Sequence, residues 1–421
     1  MRLPIMRKLR TRYRLLHLTF ALSIITYVDR VCISTAAPDI RSALGLTTGQ
    51  MGWVFSAFVF AYAAFEVPSG WLGDILGPRK VLARIVLWWS AFTMATGVVW
   101  NYASLLIARF LFGAGEAGAF PNMSRSLSRW FPVRERGTAH GVIFMGSRLG
   151  GAITPLLVGP IIAFAGWRTA FWLFGALGVV WCLFWWKWFR DDPAHHPDVS
   201  PEELQLIQEG GPPRDNKLSI RTLLNLNLLW ICLMYFCFGY CLYFYLTWLP
   251  TYLRDGRGFS DVTMNEIHTI VLLSAAGASI LGGRITDLLT KRYGLRIGRA
   301  IGAVGMPLSG LALAVAALAE SDVMAAAALV VAAGAGDLCL SPSWAMCHDI
   351  GSDGAGTVTA CMNTFGNIGG SLSPLVVGYA VQWWGSWTIP LLIAAGVAVL
   401  GGVFTALIDT RQQLVRNYDD M

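Results

Sequence analysis

Gly70-Trp71-Leu72-Gly73-Asp74-Ile75-Leu76-Gly77-Pro78-Arg79-Lys80 reads as a helix end built from small residues, a tight turn carrying an acid, and a basic pair that opens the next helix. Far along the chain it is echoed by Gly282-Gly283-Arg284-Ile285-Thr286-Asp287-Leu288-Leu289-Thr290-Lys291-Arg292. A second pair of echoes is Gly150-Gly151-Ala152-Ile153-Thr154-Pro155 and Gly369-Gly370-Ser371-Leu372-Ser373-Pro374. Each motif falls at the same place in one of two runs of apolar segments, so the chain is a duplicated structure. The period of the duplication is six segments.

Those segments are long enough to span a bilayer, which takes about 20 apolar residues in a helix. Working outward, spans are expected at 15–37, 51–71, 81–99, 104–128, 138–161 and 168–189, then at 226–253, 264–285, 299–318, 323–345, 357–382 and 387–408. The composition agrees: of 421 residues, 55% are hydrophobic and 14% charged, against about 25% charged in ordinary soluble domains. Mean hydropathy is +0.55. The expected fold is therefore an all-α membrane protein of about twelve transmembrane helices in two pseudo-symmetric six-helix bundles. The bundles are expected at 1–189 and 226–421, with a cytoplasmic linker at 190–225 and a short tail after the last span. The first span is full length and lacks a small-residue cleavage site, so it reads as a span and not as a signal peptide.

The net charge of +7 is distributed in a way that argues against nucleic acid. Basic residues crowd the N-terminal tail (Arg2, Arg7, Lys8, Arg10, Arg12, Arg14) and alternate loops, at Arg79/Lys80, Arg129/Arg134/Arg136, Arg214/Lys217/Arg221 and Lys291/Arg292/Arg296. The intervening loops hold Arg41, Arg254 and Arg257. The positive-inside rule then puts both termini and the central loop in the cytoplasm of a cell whose inner membrane the chain crosses. Membrane lipid is an expected partner, and the expected state is monomeric. The eight cysteines lie in or beside apolar spans and read as packing residues, Cys237 and Cys241 included, with no metal or cofactor implied. In the linker, His195/His196 reads as part of a solvated segment, and Pro201-Glu202-Glu203-Leu204 as the start of a short amphipathic helix on the membrane surface.

The 70–80 turn resembles the signature loop of the major facilitator superfamily. Tyr27-Val28-Asp29-Arg30, Arg109-Phe110-Leu111-Phe112-Gly113-Ala114-Gly115-Glu116 and Thr247-Trp248-Leu249-Pro250-Thr251-Tyr252 are similar to its anion:cation symporter branch. That branch includes bacterial sugar-acid transporters and animal vesicular glutamate and sialic-acid transporters. The resemblance covers nearly the whole chain. It implies proton-coupled symport of an organic anion by alternating access, with Asp29 and Glu116 in proton coupling and Arg30 and Tyr62 near the substrate. It also implies that Asp74 caps a neighbouring helix N-terminus and closes the cytoplasmic side, and Arg79 and Asp287 are expected in the same gate. One position departs from the galactonate transporters: where they carry a polar amide in span seven, this chain has Tyr235, followed by Tyr240, Tyr243 and Tyr245.

Charges inside the spans carry the functional reading. Asp29, Arg30, Arg109, Glu116 and Arg148 would together cost about 12–17 kcal/mol if each faced lipid at the bilayer centre, so they must face water or one another. Arg109, Gly113 and Glu116 stand at i, i+4 and i+7 and form one stripe about 10 Å long. The plainer reading of the stripe is a structural ion pair between Arg109 and an acid of the first helix. The sharper one is anion binding coupled to a proton. Guanidinium grips a carboxylate through two parallel hydrogen bonds and keeps its charge, while a carboxyl in low dielectric exchanges its proton more readily near neutral pH. Arg148 pairs with an acid such as Glu66 or makes a second anion contact. Asn363 and Asn367 share a face of span eleven, suited either to substrate recognition or to helix packing. Asp337 is either a further cation site or an acid held by hydrogen bonds, and His348/Asp349 a cap or gate contact.

No P-loop, GxSxG elbow or HExxH is present, so the chain does not read as an enzyme. An anion exchanger and a non-transporting anion sensor remain the alternatives to symport.

Overall fold

Helix caps and small residues set the ends of a chain that is helical almost throughout. The computed structural model describes residues 11–208, 225–351 and 355–410. In the first half these form α1 (Thr11–Leu44), α2 (Thr48–Leu76), α3 (Pro78–Thr96), α4 (Tyr102–Glu116), α5 (Ala119–Trp130), α6 (Val133–Ala165) and α7 (Trp167–Trp188). A short α8 (Pro201–Gln208) follows. The second half holds α9 (Leu226–Thr247), α10 (Leu249–Thr251), α11 (Asp261–Tyr293), α12 (Leu295–Arg299), α13 (Gly302–Leu318), α14 (Asp322–Asp337), α15 (Leu340–Gly351), α16 (Ala355–Trp384) and α17 (Thr388–Leu407). Thr47 and Asn101 close capping boxes on α2 and α4, and Ser260 and Ser321 cap α11 and α14.

Among the described residues nine rods are long and apolar enough to cross a membrane, α4 running into α5, α12 into α13 and α14 into α15. With α2, α3 and α16, of 29, 19 and 30 residues, the rods number twelve. Even 19 residues rise about 28 Å, close to the hydrocarbon thickness. Several helices run well past the apolar stretch that announces them: α1 and α11 extend to 34 and 33 residues.

Two spans expected to be continuous are broken. α4 stops at Glu116, Ala117 turns extended with ψ 134°, and Gly118 takes the left-handed conformation with φ 86° before α5 begins. α14 stops at Asp337, and α15 starts after Leu338 and Cys339. Glycine makes the first break possible, because a side chain at Gly118 would strain the backbone and press on Ser69. The two broken rods occupy equivalent places in the two halves.

Packing repeats in the same order. α1 lies on α6 as α9 lies on α16, α3 on α7 as α13 on α17, α3 on α4 as α13 on α14, and α2 on α4 as α11 on α14. The halves meet along α2 with α16 and α6 with α11, which are again equivalent pairs. The Gly-Gly echo now has a physical meaning. A Cβ on Gly150 would strike the backbone carbonyl of Ile24, and one on Gly151 would touch the ring of Tyr27. In the other half, Gly369 would meet the carbonyl of Phe236 and Gly370 the ring of Tyr243. Each Gly-Gly thus brings a helix against the first helix of its half and seats a tyrosine beside it.

The linker departs from expectation in its first part. The short helix expected at Pro201 is present as α8, and its Glu203 is buried: the carboxylate accepts from the backbone N–H of Thr11 and Arg12, and Arg12 also pairs with Glu135 at 3.1 Å. His196 is buried against Trp130 and Trp188. Arg214, Lys217 and Arg221 lie outside the described residues.

The α9–α16 seam is the closest of these approaches, with Gly239 facing the backbone of Gly366. Gly239→Leu should therefore destabilise the protein by roughly 1–3 kcal/mol, read as a fall of several degrees in the melting temperature in detergent. Gly277→Ala, where a Cβ meets nothing within 4 Å, should leave the melting temperature unchanged.

Candidate functional site

Consecutive residues on a helix point about 100° apart, and this decides how Asp29 and Arg30 of α1 divide their work. Arg30 turns toward the broken end of α4, where its Nε donates to Glu116 Oε1 at 2.5 Å. Asp29 is set among Glu116, whose charge opposes its own, Arg109 of α4, whose charge favours it, and the indole of Trp89. Neither oxygen of Asp29 closes a hydrogen bond. Asp29, Arg109 and Glu116 are buried, and the Arg30 side chain keeps 12% of its exposure.

Aromatic faces fill the space between these charges. The Arg30 guanidinium carbon lies 4.6 Å from the Tyr62 ring centroid, 5.2 Å from Phe58 and 5.3 Å from Tyr27. That of Arg109 lies 4.4 Å from Phe112 and 5.1 Å from Phe58. Phe58 therefore serves two arginines, and ring quadrupoles replace part of the water that both have lost. The approach is possible because α4 carries Gly113 where it meets the backbone of Phe58. Two arginines and two acids make a cluster whose formal charges cancel, which lowers the cost of burying them together. Glu116 also ends its helix, so its carboxylate faces the negative end of the helix dipole and depends on the cation beside it.

Arg148 of α6 reaches across to the second half, and its Nη2 donates to Asp337 Oδ1 at 2.6 Å. The side chains are 17% and 4% exposed. Sequence alone left Arg148 between an acid such as Glu66 and a second anion contact, and it named no cation for Asp337. The cation instead comes from the other half. Glu66 of α2 accepts from Asn363 Nδ2 at 3.3 and 3.4 Å, so Asn363 ties α16 to α2. Asn367 is half-buried on the same helix. The Tyr235 hydroxyl accepts from Trp344 Nε1 at 3.1 Å, and Trp344 packs on Phe144 of α6 at 5.5 Å. Tyr27, Arg30, Tyr62, Arg148, Tyr235 and Asn363 thus lie at mid-length on the helices that line the contact between the halves.

The residues named for gating are placed differently. Arg79 is tied to its own half, its backbone N–H donating to Asp191 and its side chain to the Trp186 carbonyl at 2.6 Å. Asp287 is exposed on α11. The side chains of Asp74 and His348 lie outside the described residues, while Asp349 accepts from Arg299 at 2.6 Å. At the end of the molecule that carries the α1–α2 turn, the halves are bound by Arg41–Asp255, Arg254–Asp39 and the hydrogen bonds Trp53–Tyr379 and Ser56–Ser371.

One signal went unread in the sequence. Gly113-Ala114-Gly115-Glu116 and Gly334-Ala335-Gly336-Asp337 match, and each ends at a helix break with its acid on an arginine. The sharing of Phe58 by two arginines had no such signal.

The family model described as Major Facilitator Superfamily matches residues 19–374. A probable sulfoacetate transporter of Cupriavidus necator is 37% identical over 406 residues, covering 94% of each chain. A hexuronate transporter of Bacillus subtilis is 30% identical over 397 residues, covering 91% of each. A bacterial homologue of the human lysosomal transporter Spinster, solved in an inward-facing and unoccupied conformation, superposes with a TM-score of 0.79 at 18% identity, over 94% of this chain and 96% of that one.

The mutual dependence of Asp29 and Arg109 is open to test. Arg109→Leu should destabilise by about 3–5 kcal/mol, because it leaves a buried carboxylate without its cation. Adding Asp29→Asn should restore at least about 1 kcal/mol of that loss in a double-mutant cycle of melting temperatures. Additive losses would mean that the two do not act as a pair.

Proposed function

The chain belongs to the major facilitator superfamily, and on that premise we propose that it takes up a small organic anion, of the sugar-acid class or a short carboxylate, together with protons by alternating access. The relatives named for hexuronate and sulfoacetate both carry organic anions by those names, which supports the anionic class. The observation that carries the coupling is the Arg30–Glu116 contact within a neutral set of two arginines and two acids. While Glu116 is ionised it occupies Arg30. Once protonated it releases the guanidinium, and the set gains one positive charge that a substrate carboxylate can match. Asp29 is the second acid in the set. If more than one proton enters with each negative charge, an inside-negative membrane potential drives uptake.

Tyr62, Tyr235, Asn363 and Asn367 are assigned to the substrate hydroxyls, with rings available to stack on sugar faces. Loop charges support an inner-membrane protein with both termini in the cytoplasm. The end bound by Arg41–Asp255 and Arg254–Asp39 is then the outer one, and the described state is closed to the outside. The halves are taken as 1–189 and 226–421, joined by 190–225, working as a monomer. Asp74, Arg79 and Asp287 are assigned to the cytoplasmic closure.

Two measurements test this reading. Arg30→Lys keeps the charge but loses the fork, so anion affinity should fall at least tenfold while the melting temperature stays near that of the unaltered protein. Glu116→Gln resembles the protonated state. In liposomes it should bind and exchange substrate by counterflow but lose accumulation driven by a pH gradient or voltage. Accumulation equal to that of the unaltered protein would remove Glu116 as the coupling acid.

A further inference from the structure

The proposed carboxylate clamp has a counterpart that it does not use. Glu116 and Asp337 are the last residues of α4 and α14, which are equivalent helices, and each follows Gly-Ala-Gly. Each is bound by an arginine of the first half, Arg30 at 2.5 Å and Arg148 at 2.6 Å. Both arginines stay partly exposed while the acids are buried more deeply. Tyr27 is the neighbour they share: its ring lies 5.3 Å from the Arg30 guanidinium carbon and packs at Gly151, three residues along α6 from Arg148.

We infer that Arg148 is a second anion subsite, so that the preferred substrate carries two anionic groups, one for Arg30 and one for Arg148. This rests on the reading of Arg30 as the first clamp. The second group takes Arg148 from Asp337 as the first takes Arg30 from Glu116. Only the second exchange opens a bond between the halves, because Arg148 and Asp337 belong to different bundles. A dianion therefore removes a tie across the moving interface, whereas a monoanion leaves that tie in place. A neutral or hydroxyl group at the far end of the substrate offers Arg148 no reason to leave its carboxylate. A charge-assisted pair there is worth at least about tenfold in affinity.

Matched probes differing by one anionic group decide the matter: glucarate against gluconate, succinate against succinamate, and sulfoacetate against acetate. Binding is measured by calorimetry on the full-length purified protein. At least one dianion should bind tenfold or more tighter than its partner. Arg148→Gln should bring that ratio close to one, mainly by weakening the dianion. Asp337→Asn, which frees Arg148 without removing it, should keep the ratio. The proposal is overturned if no dianion outbinds its partner, if the ratio survives in Arg148→Gln, or if Asp337→Asn abolishes it. Failure of the underlying reading shows separately, as an Arg30→Lys protein that binds monoanions as tightly as the unaltered one.

Discussion

Hydrocarbon offers no hydrogen-bond partner to a carboxylate or to an open carbonyl, and the middle of this protein is organised by that lack. Breaking a helix in the bilayer core exposes backbone groups that only other protein groups or water can satisfy. Ending the broken helix in an acid adds a charge where the helix dipole is already unfavourable. Arg30 and Arg148 answer the second problem by pairing with the two acids, and the aromatic faces of Tyr27, Phe58 and Tyr62 hold Arg30 in place. Removing either arginine would leave a buried acid unmatched, so site and scaffold are not separable here.

The duplicated architecture follows from the same close spacing. A transmembrane seam without a large hydrophobic driving force relies on close contact and small residues. Gly150/Gly151 and Gly369/Gly370 provide it on equivalent helices, and in doing so they set Tyr27 and Tyr243 against the second glycine of each pair. What looks like a packing motif is thus also what sets an aromatic ring beside the charges.

Much of the fold was legible because its signals are local. Apolar runs, the 70–80 turn and its echo, and the alternation of basic loops gave all twelve rods to within a few residues at most ends. The exceptions have physical causes. The breaks after Glu116 and Asp337 lie within apolar composition, which hydropathy reads as continuous. The charged cluster was legible as a set of candidate residues, because a charge in a span must have a reason. Its pairing was not. Arg148 finds Asp337 through the arrangement of two bundles, and Arg30 of α1 finds Glu116 at the end of α4. The burial of Glu203 was not legible, because it looks like a surface residue until Arg12 and two backbone N–H groups are brought to it.

The two arginine–acid pairs also differ in when they can form. Glu116 follows Arg30 by 86 residues, whereas Asp337 follows Arg148 by 189. As the chain leaves the ribosome from its N-terminus, the first half can neutralise Arg30 with its own acid soon after its fourth span inserts. Arg148 reaches the bilayer with its acid still untranslated. Until α14 arrives, the nascent first half carries a cation whose final neighbour does not yet exist, so the placement of α6 depends on the rest of the protein being made.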